Sequence, residues 1–370
     1  MVYRYGIQFY GIILTIIIFF LVFIFSAILT GILSKSDFTI SKKALEAISA
    51  RQATHLRVTA RWGGISIILA ISLFVLYDQN NTTVWVLISS LPIFLAGAFE
   101  DYGFYIKPSI RLSIGLFSGF LAIFTTGIWL TDIDVSVIGF ALTFPPFAIF
   151  FTAFASCGVS QSINLIDGLN GLASGIILLI SASLSWICFS FSEPALGIFS
   201  LIICASTLGF FIWNFPKGLI FLGDSGAYTL GHLLAWIAII LTSRRPEISA
   251  WAILCIFSWP VMDTVLSIYR RRLTKMAIDQ PDRLHYHHLI MRTIKFFSHK
   301  KFTQKFTNPL ATVIILPLAV VPILCGVIFI EKNYYALITI FLTFLFFCSS
   351  YTILNYSLRS NKIKKIFKSK

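Results

Sequence analysis

The chain has 370 residues, 57% hydrophobic and 12% charged, with a mean hydropathy of +0.87 and a net charge of +14. A soluble protein of this length carries about 25% charged residues, so a water-soluble domain is excluded. The basic residues are spread over loops between apolar runs, which argues against nucleic acid as a partner. Runs of roughly the 17–25 residues needed to cross a bilayer recur from end to end. In chain order they fall at about 7–33, 62–77, 84–99, 112–130, 137–157, 171–191, 196–213, 224–242, 250–268, 310–330 and 335–357. The expectation is a single all-α, polytopic domain over 1–370, with about eleven transmembrane helices. The first run is too long for a signal-peptide core and shows no clear cleavage site, so it reads as an anchor.

Charge orders the loops. Residues 34–61 hold six Lys/Arg, 100–111 two, 214–223 one, 269–309 ten and the tail after 357 six. The intervening loops are short and often acidic, as in Asp78-Gln-Asn-Asn, Thr131-Asp-Ile-Asp134 and Ser192-Glu-Pro. The positive-inside rule then places the N-terminus outside, the C-terminus in the cytoplasm and the large loop 269–309 on the cytoplasmic side. Arg4, Arg244, Arg245 and Lys332 are the exceptions. Six cysteines without a CxxC pair read as small apolar packing residues rather than disulfides or thiolate metal ligands.

The unusual polar residues gather at the cytoplasmic ends of the spans. Glu100-Asp101 lies near Lys107 and Arg111. Asn164 precedes Asp167-Gly168-Leu169-Asn170-Gly171. Asn214 leads to Phe221-Leu-Gly-Asp224-Ser-Gly226, and Asp282-Arg283 leads to His285-Tyr-His287-His288. Adjacent carboxylates suit a divalent cation or proton acceptance, although Glu100 and Asp101 also read as a solvated pair at a span end. Asp167 and Asp224 precede the sixth and eighth spans and could be their N-caps, although capping does not require the surrounding glycines. The same helix N-termini would favour a phosphate, with glycines allowing close approach. The histidines lack the Cys or fourth-ligand spacing of a zinc site; among ten basic residues, contact with a phosphate or sugar fits better. Asp263 lies inside the ninth span, with functional and structural readings both open, the latter a pairing with Arg270 at i+7.

From about Arg61-Trp-Gly-Gly64 to Met291, these motifs and their order resemble the polyprenyl-phosphate N-acetylhexosamine-1-phosphate transferase superfamily, glycosyltransferase family 4. The stretch from Pro260-Val-Met-Asp263 through Asp282-Arg-Leu-His-Tyr-His-His is most similar to the undecaprenyl-phosphate N-acetylglucosamine-1-phosphate transferase type, which starts lipid-linked surface polysaccharides such as O-antigen. The resemblance implies a multi-pass enzyme of the inner membrane with a cytoplasmic site. It would move a sugar 1-phosphate from a UDP-N-acetylhexosamine to polyprenyl phosphate and release UMP. It implies Mg²⁺, with Mn²⁺ the alternative, on Asp224 with Asn164 close by. Asp167, Gly168, Leu169, Asn170, Asn214 and Phe221 would hold the uridine end, and Asp101 with Glu100 would face the lipid phosphate. Lys107, Arg111, Arg283, His285, His287 and His288 would meet the remaining phosphate and sugar. Glu100, Asn170 and Ala227 depart from residues usual in the family. The competing readings are a phospho-N-acetylmuramoyl-pentapeptide transferase and, from another class, a secondary transporter; a homodimer is left open.

Overall fold

The computed structural model describes residues 2–35, 59–78, 80–133, 136–274, 284–298 and 302–359, and among these there is helix and turn but no strand. The helices are α1 (Val2–Lys35), α2 (Gly63–Asp78), α3 (Asn81–Ser89), α4 (Leu91–Tyr102), α5 (Pro108–Thr126), α6 (Ser136–Leu142) and α7 (Pro145–Leu165). They continue as α8 (Leu172–Ser190), α9 (Pro194–Asn214), α10 (Gly223–Arg244), α11 (Ala250–Ile256), α12 (Ser258–Thr274), α13 (Tyr286–Phe297), α14 (Gln304–Ile328) and α15 (Asn333–Arg359). Prolines at the first position open α5, α7 and α9, where the missing N–H has no intrahelical role. Gly103 and Gly127 end α4 and α5 in left-handed conformation.

Nine stretches among the described residues are long and apolar enough to span a bilayer, and α11 with α12 would make a tenth, bent by 84°. The expected count of eleven is reached only if α2 and the bent pair α11–α12 each make a pass. The second run forms α2, whose 16 residues reach roughly 24 Å at 1.5 Å per residue and whose apolar part ends at Val75. The ninth run is broken before Ser258 rather than continuous. The fifth expected span also slides toward the C-terminus, because Ser136–Leu142 forms a separate short helix before Pro145. Inside the expected loop 269–309, residues 286–297 form α13.

α10 is the central helix, buried from Gly223 through Leu241. In hydrocarbon no hydrophobic effect drives helices together, so close packing and interhelical hydrogen bonds hold them. Ser160 of α7 donates to the Tyr228 carbonyl at 2.7 Å. His232 of α10 lies between Ser89 Oγ at 3.0 Å and Ser156 Oγ at 3.4 Å, joining α3, α10 and α7. All six cysteines are free thiols, buried or half-buried among apolar neighbours.

Hydrogen bonds mark the two ends of the bundle. At one end the Gly63 and Gly64 amides donate to the Phe221 and Leu222 carbonyls at 3.0 and 2.8 Å, setting the start of α2 beside the start of α10. At the other, Glu193 pairs with both Arg244 and Arg245 at 3.1 Å, and Arg244 also donates to Thr82. Two of the four basic residues that broke the charge rule are therefore neutralised by an acid of their own end. α2 begins at the first end, and α3, which follows it, begins at the second, so even this short helix runs the length of the bundle.

Candidate active site

The polar clusters separated in sequence meet at the start of α10. Gly223 has φ +78°, and a Cβ there would lie 2.5 Å from Asp101 Oδ2, so no other residue fits without displacing that carboxylate. The Gly223 amide donates to Asp167. The Asp224 amide donates to Asp101 Oδ1 at 2.9 Å, while the Ser225 amide and hydroxyl donate to Oδ2 at 2.9 and 2.8 Å. The first three amides of α10, expected to greet a phosphate, are thus taken by carboxylates from α4 and from the α7–α8 turn. Two further expectations are corrected here. Asp167 caps α10 rather than α8, whose preceding Gly171 amide donates to Asn214 Oδ1 at 2.6 Å. Asp224 is inside the first turn of α10 rather than its cap. Asp101, expected to face the lipid phosphate, has its side chain fully buried and accepts from three α10 donors and from Arg61.

Arg61 is the residue that motif reading missed. Its Nε donates to Asp101 Oδ1 at 3.2 Å and its Nη2 to Asp224 Oδ1 at 3.3 Å. Asn164 Nδ2 donates to that same Asp224 oxygen at 3.0 Å. Burial works against the Arg61 charge, but Asp224, Asp101 and Asp167 outweigh it and hold the guanidinium above its usual range. Asp167 is pushed up to about 7, by burial first and then by the Asp224 and Asp101 charges, against the pull of Arg61. The available signal was its place as the last of six basic residues before an apolar run, which looks like any membrane-flanking cation.

Around this knot the other residues divide. Glu100 accepts from Arg111 Nη1 at 3.2 and 3.4 Å, and the same nitrogen donates to the Tyr228 hydroxyl at 3.2 Å. Lys107 is exposed at the start of α5. Asn170 and Asn214 are bonded within the fold: Asn170 Nδ2 donates to Pro216 O and its amide to Asn308 Oδ1, while Asn214 Nδ2 donates to Ile220 O. Leu169 is buried in the core, and Phe221 is tied through its backbone to Ala60 and Gly63. The three histidines sit at and inside the start of α13, their rings within 4.2–6.4 Å of one another. His287 reaches the α7–α8 turn, where a Cβ on Gly168 would lie 2.4 Å from its Nε2. Burial, then the neighbouring His287 and His285, lowers His288 to about 2, so its imidazole is neutral. Of the two readings left open for Asp263, the pairing with Arg270 does not form. Asp263 accepts from His285 Nδ1 and the Tyr286 amide, and Arg270 donates to Leu284 O and the Tyr351 hydroxyl. Arg283 lies outside the described residues.

The donor chemistry fits a hard divalent cation held mainly by substrate. Asp224 keeps 13% side-chain exposure where Asp101 has none, and Asp167 is beside it. Mg²⁺ is commonly bound by one or two carboxylates together with substrate phosphates and water. Among the described residues no group of three or more His, Cys, Asp or Glu is placed to enclose a metal.

Comparison with known proteins agrees with this geometry. The family model described as glycosyl transferase family 4 matches residues 83–242, the segment holding Glu100, Asp101, Arg111, Asn164, Asp167 and Asp224. The chain is 27% identical over 248 residues to a probable undecaprenyl-phosphate N-acetylglucosaminyl 1-phosphate transferase of Bacillus subtilis, covering 65% of this chain and 68% of the relative. It is 28% identical over 238 residues to the undecaprenyl-phosphate alpha-N-acetylglucosaminyl 1-phosphate transferase of Escherichia coli K12, covering 62% and 64%. A phospho-N-acetylmuramoyl-pentapeptide-transferase of Staphylococcus epidermidis is 27% identical over 256 residues, covering 63% and 78%. The acidic knot of the site lies within the matched segment, and over that segment the chain is similar to glycosyl transferase family 4.

Proposed function

We propose that the protein transfers N-acetylhexosamine 1-phosphate from a UDP-sugar to a polyprenyl phosphate such as undecaprenyl phosphate, releasing UMP and starting a lipid-linked surface polysaccharide. The observation that carries this reading is the convergence of Asp224, Asp167, Asn164, Arg61 and the His motif at one end of an apolar bundle. Such a place lets a water-soluble nucleotide meet a lipid phosphate. The charge distribution supports a cytoplasmic site, with the N-terminus outside, the C-terminus inside and eleven passes in the inner membrane.

In the reaction an oxygen of the polyprenyl phosphate attacks the β-phosphorus of the donor, the bond to the bridging oxygen breaks, and UMP leaves with it. Two anions must approach, so charge control and alignment dominate the barrier. Mg²⁺ held at Asp224, with Asn164 at its side, would neutralise diphosphate charge. Arg111, fixed by Glu100 and Tyr228, and Lys107 suit the acceptor phosphate at the lipid edge. The histidines suit the donor phosphates. The acceptor's second pKa lies near 6, so the monoester is largely a dianion at neutral pH and attack does not depend on a proton passing to Asp101. Arg61 keeps the Asp101 and Asp224 carboxylates close without mutual repulsion.

The test is UMP release by the purified protein in detergent or nanodiscs with polyprenyl phosphate and a panel of UDP-sugars. No release with any UDP-N-acetylhexosamine overturns the proposal. The second reading, transfer from the UDP-muramoyl-pentapeptide, is kept by the Staphylococcus relative's name. A competition between the two donors decides it. Preference for the small donor is expected, because the stretch from Pro260 through His288 is most similar to the N-acetylglucosamine-1-phosphate transferase type.

A further inference from the structure

The His motif is organised by a carboxylate outside it. Asp263, on α12 just past the 84° bend, is 2% exposed. Its Oδ1 accepts the Tyr286 amide at 3.1 Å, the first amide of α13, whose N-cap residue His285 makes no side-chain cap of its own. Its Oδ2 meets His285 Nδ1 at 3.2 Å and lies 3.8 Å from His287 Nδ1. One acid therefore caps a helix to which it does not belong and faces the δ nitrogens of two imidazoles.

Orientation follows. The His285 and His287 rings are 12° from parallel, with centroids 5.7 Å apart. With both Nδ1 atoms on the Asp263 side, both Nε2 atoms turn the other way. On that side His287 Nε2 abuts Gly168, next to the Asp167 that caps α10. A carboxylate only accepts, so it selects the Nδ1–H form of His285. Nε2 then carries the lone pair in the neutral ring and an N–H in the cation.

We propose that Asp263 is a positioning residue that fixes the tautomer of His285 and the ring direction of His285 and His287, so that their Nε2 edges meet the donor diphosphate. The proposal rests on the transferase reading for the identity of that anion, but the arrangement of the histidines does not. A plain helix cap would need neither the imidazole contact nor the parallel rings, and substitution separates the two roles. In Asp263→Asn the amide oxygen still accepts the Tyr286 N–H, so the cap survives. Its NH₂ group must donate to His285, which moves the ring proton to Nε2.

The experiment uses ¹⁵N-histidine-labelled full-length protein in detergent without substrate, with His285→Gln for assignment. The Nδ1–H form of His285 is expected in the wild type and the Nε2–H form in Asp263→Asn. UMP release by Asp263→Asn should fall on the order of 10–100-fold, the usual cost of losing a group that orients another, with the melting temperature held. Asp263→Glu, which keeps a pure acceptor, should recover part of the turnover. Equal tautomers in the two proteins, or full turnover in Asp263→Asn, overturns the proposal. So does a loss of turnover matched by a lower melting temperature and not relieved by Glu. If the wild type releases no UMP, the transferase reading falls while the spectra still decide what Asp263 does to the histidines.

Discussion

Asp101 and Asp224 have opposite surroundings although they share Arg61. Asp101 is sealed, with each oxygen already accepting two hydrogen bonds, while Asp224 keeps an exposed edge. Asp224→Asn is therefore expected to lower UMP release by at least about 100-fold, the scale of losing a charged group aimed at the reacting phosphates. The protein should still elute as a folded species, and EDTA should silence the wild type. Asp101→Ala should instead act on stability, because it strands two amides and half of the Arg61 pairing. About 3 kcal/mol is expected, the low end for a broken buried pair since Arg61 is partly exposed. A clear fall in melting temperature checks this, and an unchanged melting temperature with lost turnover would restore Asp101 to direct chemistry. Gly168→Ala would push its new methyl against His287 Nε2. That ring must turn, so KM for the UDP-sugar should rise several-fold with stability little changed.

Among the elements, the first turn of α10 is the assembly point. Its amides are capped from α4 and the α7–α8 turn, its preceding carbonyls accept from α2, and Arg61 crosses its face. Local reading expected those amides to be free for a ligand, because a helix N-terminus in isolation shows only its own cap residue. Here the caps come from residues 123 and 56 positions away, a relation without a local pattern. The break before α12 has a local signal, since Pro260 lacks the N–H that would continue the helix from α11, whereas the seat of Asp263 against α13 has none. At the opposite end, Glu193→Ala releases Arg244 and Arg245, which are each about a third exposed. The cost should be about 1 kcal/mol or less, as for other exposed ion pairs, and UMP release should be unaffected because the site lies at the other end of α10.

On the scale of the whole molecule, apolar outer helices surround a core helix rich in small and polar residues, and the ionisable groups concentrate at one end. α15 turns most of its length outward, with Phe341, Leu342, Leu345 and Phe346 exposed as lipid-facing residues would be. A reporter fused after Lys370 should read as cytoplasmic, and one placed at the turn around Glu193 as external. The opposite result would invert the proposed orientation and move the site to the other face.

Hydropathy, loop charge and motif order were enough to establish a helical membrane protein and to single out the acids and histidines of one family. These follow from the free energy of placing side chains in hydrocarbon or water, a sum over local composition. How those residues are bonded to one another was decided by tertiary contacts. Asn170, Asn214 and Asp101 have the residue types and positions of ligand contacts, yet each has a side-chain bond to the backbone of another segment. Arg61 and Asp263 gain their places only when α2, α10, α12 and α13 pack. A buried polar group must find a partner wherever the fold puts one, and that partner is set by three-dimensional neighbours, not by spacing along the chain.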